Sequence, residues 1–176
     1  MKLEIGGGLD FARGEGWVNM DQLEGADIKC NLDVIPWPVA DDSVDEIYTS
    51  HCIEHVKCPI SFLHECTRIG KIGCTIEIRC PSPYSDLAMV AGHVSVFSPQ
   101  AARNMDVHFP KLFWKQYKRP ALLGWHIQAS ERLAEAKKEL PFLAALSDAI
   151  IMKYIPGTGH ETVFKYVVKA NEYYVR

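Results

Sequence analysis

What this sequence lacks narrows it before any motif is read. It contains no stretch of about 18 uninterrupted apolar residues, so no segment is expected to span a membrane. Its first residues, Met1 to Ile5, run straight into an apolar strand pattern, with no basic region leading a long apolar run. No secretory signal is therefore expected. The six cysteines, at 30, 52, 58, 66, 74 and 80, form no CxxC pair. In a chain without a signal they read as reduced and mostly buried thiols, which suits a cytoplasmic protein. There is no excess of basic charge either: the formal net charge is -3 and the pI about 6.2. That removes the electrostatic case for general nucleic-acid binding. The visible basic cluster is Lys111, Lys115, Lys118 and Arg119, which reads as a solvated helix face. Repeats, low-complexity tracts and linkers are also missing. What remains is 176 residues, 48% apolar and 23% charged, enough for one sizeable core and a single domain over 1–176.

The local patterns then order themselves along the chain. Lys2 to Ile5 reads as a strand meeting a tight turn at Gly6-Gly7-Gly8, and Trp17 to Met20 as a second strand ending on Asp21. Ala26 to Leu32 is a weaker third strand. Val44 to Thr49 is a fourth, introduced by the turn chemistry of Asp41-Asp42-Ser43. From Pro59 to Ile69 the apolar positions 60, 62, 63, 66 and 69 follow helical spacing. A turn at Gly70 to Gly73 leads into a strand from Cys74 to Cys80. Ser98-Pro99 reads as an N-cap and first helical position, opening a helix to about Asp106. Trp125 to Leu133 is ambiguous: Trp125, Ile127 and Ala129 alternate as in a strand, while Glu131 to Leu140 favours helix. Leu143, Leu146, Ile150 and Tyr154 fit one helical face, and Thr162 to Lys169 closes as a strand. Strands alternating with helices imply a parallel sheet in an α/β domain.

The chemistry lies in what sits at the strand ends. In open parallel sheets, ligands bind beyond the carboxyl ends of the strands. Gly6, Gly7 and Gly8 end the first strand, where side chains would keep a ligand from the backbone. Asp21 ends the second, where a carboxylate can accept from both ribose hydroxyls. Asn31 and Leu32 end the third, offering an amide and an apolar wall to a purine. Ser50 and His51 end the fourth. Together these make a nucleoside-type site.

These stretches resemble the class I S-adenosylmethionine-dependent methyltransferases, in particular their small type-11-like branch. The resemblance runs through Leu3 to Gly8, Gly16 to Asp21, Ile35-Pro36-Trp37-Pro38 with Asp41 to Tyr48, and Ser50-His51-Cys52-Ile53-Glu54-His55-Val56. It continues in Phe62 to Ile69 before Lys71-Ile72-Gly73, and in His93 to Pro99. It covers residues 2–100 and is loose afterwards, where Tyr154-Ile155-Pro156 and the last strand also match. It implies a Rossmann-like sheet, mostly parallel with an antiparallel last strand. It also implies S-adenosylmethionine held by Glu4, Gly6, Gly7, Gly8, Asp21, Asn31, Leu32 and the Ser50-His51 backbone. Two departures stand out. The glycines are compressed into a triplet, and only Leu9 to Gly16 lies between it and Trp17, whereas a parallel crossover with its helix needs about 10–12 residues. The customary first helix is therefore expected to be missing, with part of one sheet face left for a partner subunit, such as a second copy, or for the C-terminal segment. Asn31 stands where similar sequences often carry aspartate.

Methyl transfer from a sulfonium needs positioning above all, and a base only where the nucleophile holds its proton tightly. His51 and His93 are the catalytic candidates, with Glu54, His55 and Asp86 also within reach of that role. His51 can equally shape the pocket with its backbone, and Glu54-His55 can be a helix start. No metal site is expected from spacing: His51, Cys52, His55 and Cys58 do not reproduce the paired pattern of structural zinc. Trp114, Tyr117 and Trp125 could stack on a base or sugar but read first as core or sheet-covering aromatics. The expected function is methyl transfer to a small or glycan-like acceptor, the alternative a non-catalytic subunit that binds the cofactor or its product. A nicotinamide-dependent oxidoreductase is set aside, because Gly6 to Phe11 lacks a third spaced glycine and the helix it would open.

Overall fold

The structure, a computed structural model, describes residues 1–9, 14–108, 117–129, 131–148, 151–152 and 159–172. Seven strands form one sheet: β1 (Lys2–Ile5), β2 (Trp17–Asp21), β3 (Ile28–Lys29), β4 (Val44–Ser50), β5 (Gly70–Pro81), β6 (Lys118–Ala129) and β7 (Gly159–Ala170). Their order is β3-β2-β1-β4-β5-β7-β6. The first five pair in parallel, and β7 runs antiparallel to both β5 and β6. Only the last strand is reversed, as the resemblance implied.

Three α-helices have both ends among the described residues. α1 (Pro59–Ile69) spans the predicted range, with Pro59 at its start and Gly70 as its C-cap. α2 (Pro99–Arg103) is capped by Ser98, whose Oγ accepts from Ala101 N at 3.2 Å. It passes into a π-helical turn over Asn104–His108. α3 (Glu131–Glu139) follows β6, which settles the ambiguity at Trp125 to Leu133: strand first, then helix. α1 lays Phe62, Leu63, Cys66 and Ile69 on Leu3, Ile5, Ile47, Ile76 and Ile78 of the sheet, all essentially buried.

Between β1 and β4 the described residues contain no helix. The connection from β2 to β3 is only residues 22–27, and residues 30–43 are turns and bends. Side chains of α1 hold this last loop in a helix's place. Arg68 donates to the carbonyls of Trp37 and Val39 at 3.0 and 2.8 Å, and Glu65 Oε2 accepts from Trp37 N at 2.7 Å. Trp37 is 2% exposed and stacks edge-on against Phe62.

The opposite sheet face carries charge instead of apolar packing. Lys2 pairs with Glu46 at 3.0 Å, and Glu77 with Arg79 at 3.0 Å and Lys165 at 3.5 Å. Trp17 meets Tyr48 edge-on, with the Lys2 ammonium over the Trp17 ring. The described C-terminal residues do not cover this face. Asn171 N bonds Tyr117 O, and Glu172 pairs with Arg119, both at the start of β6.

Several expectations need correction. Lys118 and Arg119 are not on a solvated helix face: they open β6 and are 1% and 4% exposed. Lys118 Nζ donates to Asp42, Arg68 O and Gly70 O, so all three of its protons are used. Arg119 is held by Asp106 and Glu172. The expected turn at Gly70 to Gly73 is part of β5, where the register against β4 shifts. The third strand shrinks to Ile28–Lys29. Tyr117 is half-exposed and its hydroxyl donates to Asp42, while Trp125 is also half-exposed. Lys111, Lys115, Trp114, Ile150 and Tyr154 to Pro156 lie outside the described residues. No described helix is long and apolar enough to cross a membrane.

All six cysteines are free, five are buried, and Cys58 alone is exposed. Burial pushes the Cys52 and Cys74 thiols up to about 12, whereas hydrogen bonding around Ser61 draws Cys58 down. A disulfide-exchange reagent at neutral pH should therefore titrate one thiol in the native chain and six after denaturation. Rapid reaction of two or more native thiols would contradict this packing.

Candidate functional site

The carboxyl ends of β1, β2 and β4 open into a cavity of about 340 Å³. Five expected residues line it: Gly6, Asp21, Asn31, Leu32 and His51. Glu4, Gly7, Gly8, Ser50 and His93 do not. Glu4 is 2% exposed within β1, Ser50 ends β4 in register with Arg79, and Gly8 acts through Asp21. Asp86 is exposed in a short 3-10 turn and also lies off the cavity.

Asp21 organises the wall. It is 9% exposed, and its Oδ2 accepts from Gly8 N and its Oδ1 from Leu23 N, both at 3.0 Å. Asn19 closes the same loop by donating to Gly8 O at 2.6 Å. Gly6 is required twice over. Its φ is +72°, and a Cβ there would meet Cys52 Sγ at 2.5 Å. The third side is held by Trp37, whose Nε1 donates to Leu32 O at 3.1 Å. Asn31 Oδ1 accepts from Asp33 N at 3.0 Å, an Asx-type turn that turns Asp33 into the same cavity. Sequence reasoning missed Gln22, Cys30, Asp33, Cys52 and Val56, which complete the lining together with His55, named there as a candidate base. Cys52, His55 and Val56 follow His51 directly, so the strand-end argument needed only to be carried a few residues further.

His51 is the strained and charged member. It adopts a left-handed backbone, φ +51°, one residue beyond β4, while its N–H still bonds Arg79 O at 3.0 Å. Its Nε2 lies 2.6 Å from Glu161 of β7, and its Nδ1 lies 3.3 Å from the buried Glu54, an ion-pair contact outside hydrogen-bond geometry. The Glu54 carboxylate first, and Glu161 with it, hold the imidazole pKa up at about 9 against the effect of burial. At neutral pH the ring is an imidazolium. Beside it, the His55 and His93 rings meet edge-on at 4.8 Å. The cysteine–histidine set weighed for zinc does not assemble: Cys52 is buried against Gly6, and Cys58 is exposed at the start of α1.

The strand order, the single reversed strand and a cavity at the strand ends define a Rossmann-like sheet of the class I methyltransferase type. No family model and no curated protein matches the sequence. Solved structures share its fold. An S-adenosylmethionine-dependent methyltransferase from Archaeoglobus fulgidus superposes with a TM-score of 0.62 over 94% of this chain and 84% of that chain, at 15% identity. A Haloferax volcanii methyltransferase, in complex with the Trm112 methyltransferase activator, gives 0.59 over 94% and 80%, at 16% identity. Phosphoethanolamine N-methyltransferase 2 from Haemonchus contortus, in complex with S-adenosyl-L-methionine, gives 0.50 over 97% and 50%, at 15% identity. At such identities the likeness is one of fold: this chain has the class I methyltransferase fold.

Two outcomes follow for His51. Proton NMR should show its ring titrating near pH 9. Because the pKa is raised above the unfolded value of about 6.5, the stability it contributes is complete below that pH and lost as pH rises through 9. A midpoint near 6.5 would show that the two carboxylates do not hold the charge. The backbone makes a separate prediction. With φ at +51°, His51→Ala should be less stable than His51→Gly by about 1 kcal/mol in denaturant unfolding, the reverse of the usual order.

Proposed function

We propose that residues 1–176 act as one cofactor-binding domain, holding S-adenosylmethionine in the cavity beyond β1, β2 and β4. Its methyl group passes to a small or glycan-like acceptor, leaving S-adenosylhomocysteine. The observation that carries this reading is Asp21, a nearly buried carboxylate on the cavity wall, oriented by Gly8 N and Leu23 N. An ionised carboxylate offers about four lone-pair sites, so two remain for vicinal ribose hydroxyls. Leu32 and Val56 suit the faces of a purine, and Asn31 and Asp33 its polar edge. Gly6 leaves the backbone open beside them. Gly8 supports this wall from behind, through Asp21, while Glu4, Gly7 and Ser50 lie off the cavity lining.

The bound cofactor supplies an activated methyl and a neutral thioether leaving group. The chain's part is to hold donor and acceptor in line, an effect worth up to ~7–11 kcal/mol of barrier. His51 stands at the cavity edge as an imidazolium that can orient an anionic or hydroxyl acceptor, and it becomes a base once deprotonated. His93 is the second candidate for the acceptor's proton. A small acceptor is supported by the acidic net charge and by the buried, paired state of Lys118 and Arg119, which leaves no basic docking face there. The six free thiols support a reducing compartment such as the cytoplasm.

A second reading, a cofactor-binding subunit that turns over only with a partner or as a dimer, draws on the charged sheet face opposite α1. That face holds a second hollow of about 280 Å³ beside Trp17, Tyr48 and Leu123.

Calorimetric titration with S-adenosylmethionine and, separately, S-adenosylhomocysteine should show micromolar binding. Asp21→Ala should weaken it roughly 10–100-fold, the equivalent of one or two charge-assisted hydrogen bonds. Absence of binding by folded protein would sink both readings, whereas binding without turnover of any acceptor until a partner is added would select the second.

A further inference from the structure

Glu54 is buried to 2% exposure, and neither of its carboxylate oxygens has a hydrogen-bond partner. A carboxylate so placed is costly unless a positive charge faces it. His51 supplies one at 3.3 Å, but it approaches Oε1 alone and is itself drawn to Glu161 at 2.6 Å. On the other side stand His55 and His93. One ligand atom from each of Glu54, His55 and His93 can be chosen so that all three lie within 4.8 Å of one another. No other such group of histidine, cysteine and acidic side chains occurs among the described residues.

The two segments that carry these groups are fastened together. Val94 N and Ser95 N both donate to Glu54 O, at 2.9 and 3.1 Å, and Ser95 Oγ donates to Ile53 O at 3.2 Å. The loop bearing His93 is thus laced to the short helical turn bearing Glu54 and His55. His55 Nδ1 lies 3.1 Å from Gly92 O, which makes Nδ1 the protonated nitrogen and leaves Nε2 with its lone pair. A histidine that gives its other N–H to a backbone carbonyl is oriented as metal-bound histidines usually are. The Nδ1 of His93 is buried without a partner. Each of the three groups therefore brings a potential ligand atom within 4.8 Å of the others, His93 through whichever ring nitrogen is unprotonated.

We propose that Glu54, His55 and His93 bind a single divalent transition-metal ion of borderline softness, such as zinc. Two imidazoles and a carboxylate are the donor set of open catalytic centres, which keep a further position for water or substrate. At metal–ligand distances of about 2.1 Å, tetrahedral donors stand roughly 3.4 Å apart, so the side chains draw inward by about an ångström on loading. His55 also lines the cofactor cavity, so the open position borders it. A hydroxyl acceptor bound there would be acidified by the ion and lose its proton to solvent. The binding of metal does not depend on the methyltransferase reading and is tested apart from it.

Chelator-treated full-length chain is titrated with zinc by calorimetry and with cobalt by visible absorption, in the absence of any cofactor. One equivalent should bind with micromolar affinity or better, and cobalt should develop d–d bands of low coordination number. His93→Ala and Glu54→Gln should each weaken binding by at least about tenfold. Because Glu54 is buried, His55→Ala, an exposed substitution, serves as the variant least able to disturb folding. Cys58→Ser should bind as the parent does, which excludes capture by the exposed thiol. Failure of the folded parent to bind either metal, or binding that survives His55→Ala and His93→Ala, would overturn the site. Titration with S-adenosylhomocysteine on the same sample reports the cofactor site separately.

Discussion

Two backbone N–H groups converge on one carboxylate at Asp21, and the rest of the site is arranged around that contact. Gly8 and Leu23 belong to the loops after β1 and β2, neither with a helix among its described residues to stiffen it. Each charge-assisted bond contributes about 1.5–3 kcal/mol, enough to hold a loop whose own packing is slight. Asn19 adds a third tie at Gly8 O. The same carboxylate is thus both the brace of two loops and the polar edge of the cavity.

The economy extends across the sheet. One face is packed by α1 and α2 over a continuous apolar core. The other is finished with ion pairs between neighbouring strands and with the Trp17–Tyr48 contact. Alternation along each strand makes this possible: Leu3 and Ile5 face the core while Lys2 and Glu4 face away. A face of this kind tolerates water, so the sheet can keep its strand order with few helices. At Lys118 the buried charge is fully committed, and its three donors close the junction of α1, β5 and β6.

Around the end of β4 the electrostatics take another form. Glu54 and Glu161 come from segments more than a hundred residues apart and hold His51 between them. Arg79 stands 3.9 Å from Glu161, so the carboxylate left with a single cationic contact is Glu54. Its unpartnered oxygens, with His55 and His93 beside it, are the ground for the proposed cation.

Gly6, Asp21, Asn31, Leu32 and His51 were legible in the sequence because each is a local signal at the end of a strand. A strand's period, a turn's residues and the rule that ligands gather at carboxyl ends suffice to bring them to one crevice. The expected loss of the first helix falls on Leu9 to Gly16, of which residues 10–13 lie outside the described ones. Other features depend on which distant segments neutralise one another, and no periodicity reports that. Lys118 and Arg119 looked like solvated charges until Asp42, Asp106 and Glu172 were found against them. His93 was named from the sequence, but its place beside Glu54 and His55 rests on backbone bonds spanning some forty residues. Local conformation and strand ends were decided by the order of the amino acids alone. The pairing of buried charges, and with it the chemistry around His51, was decided only when the sheet closed.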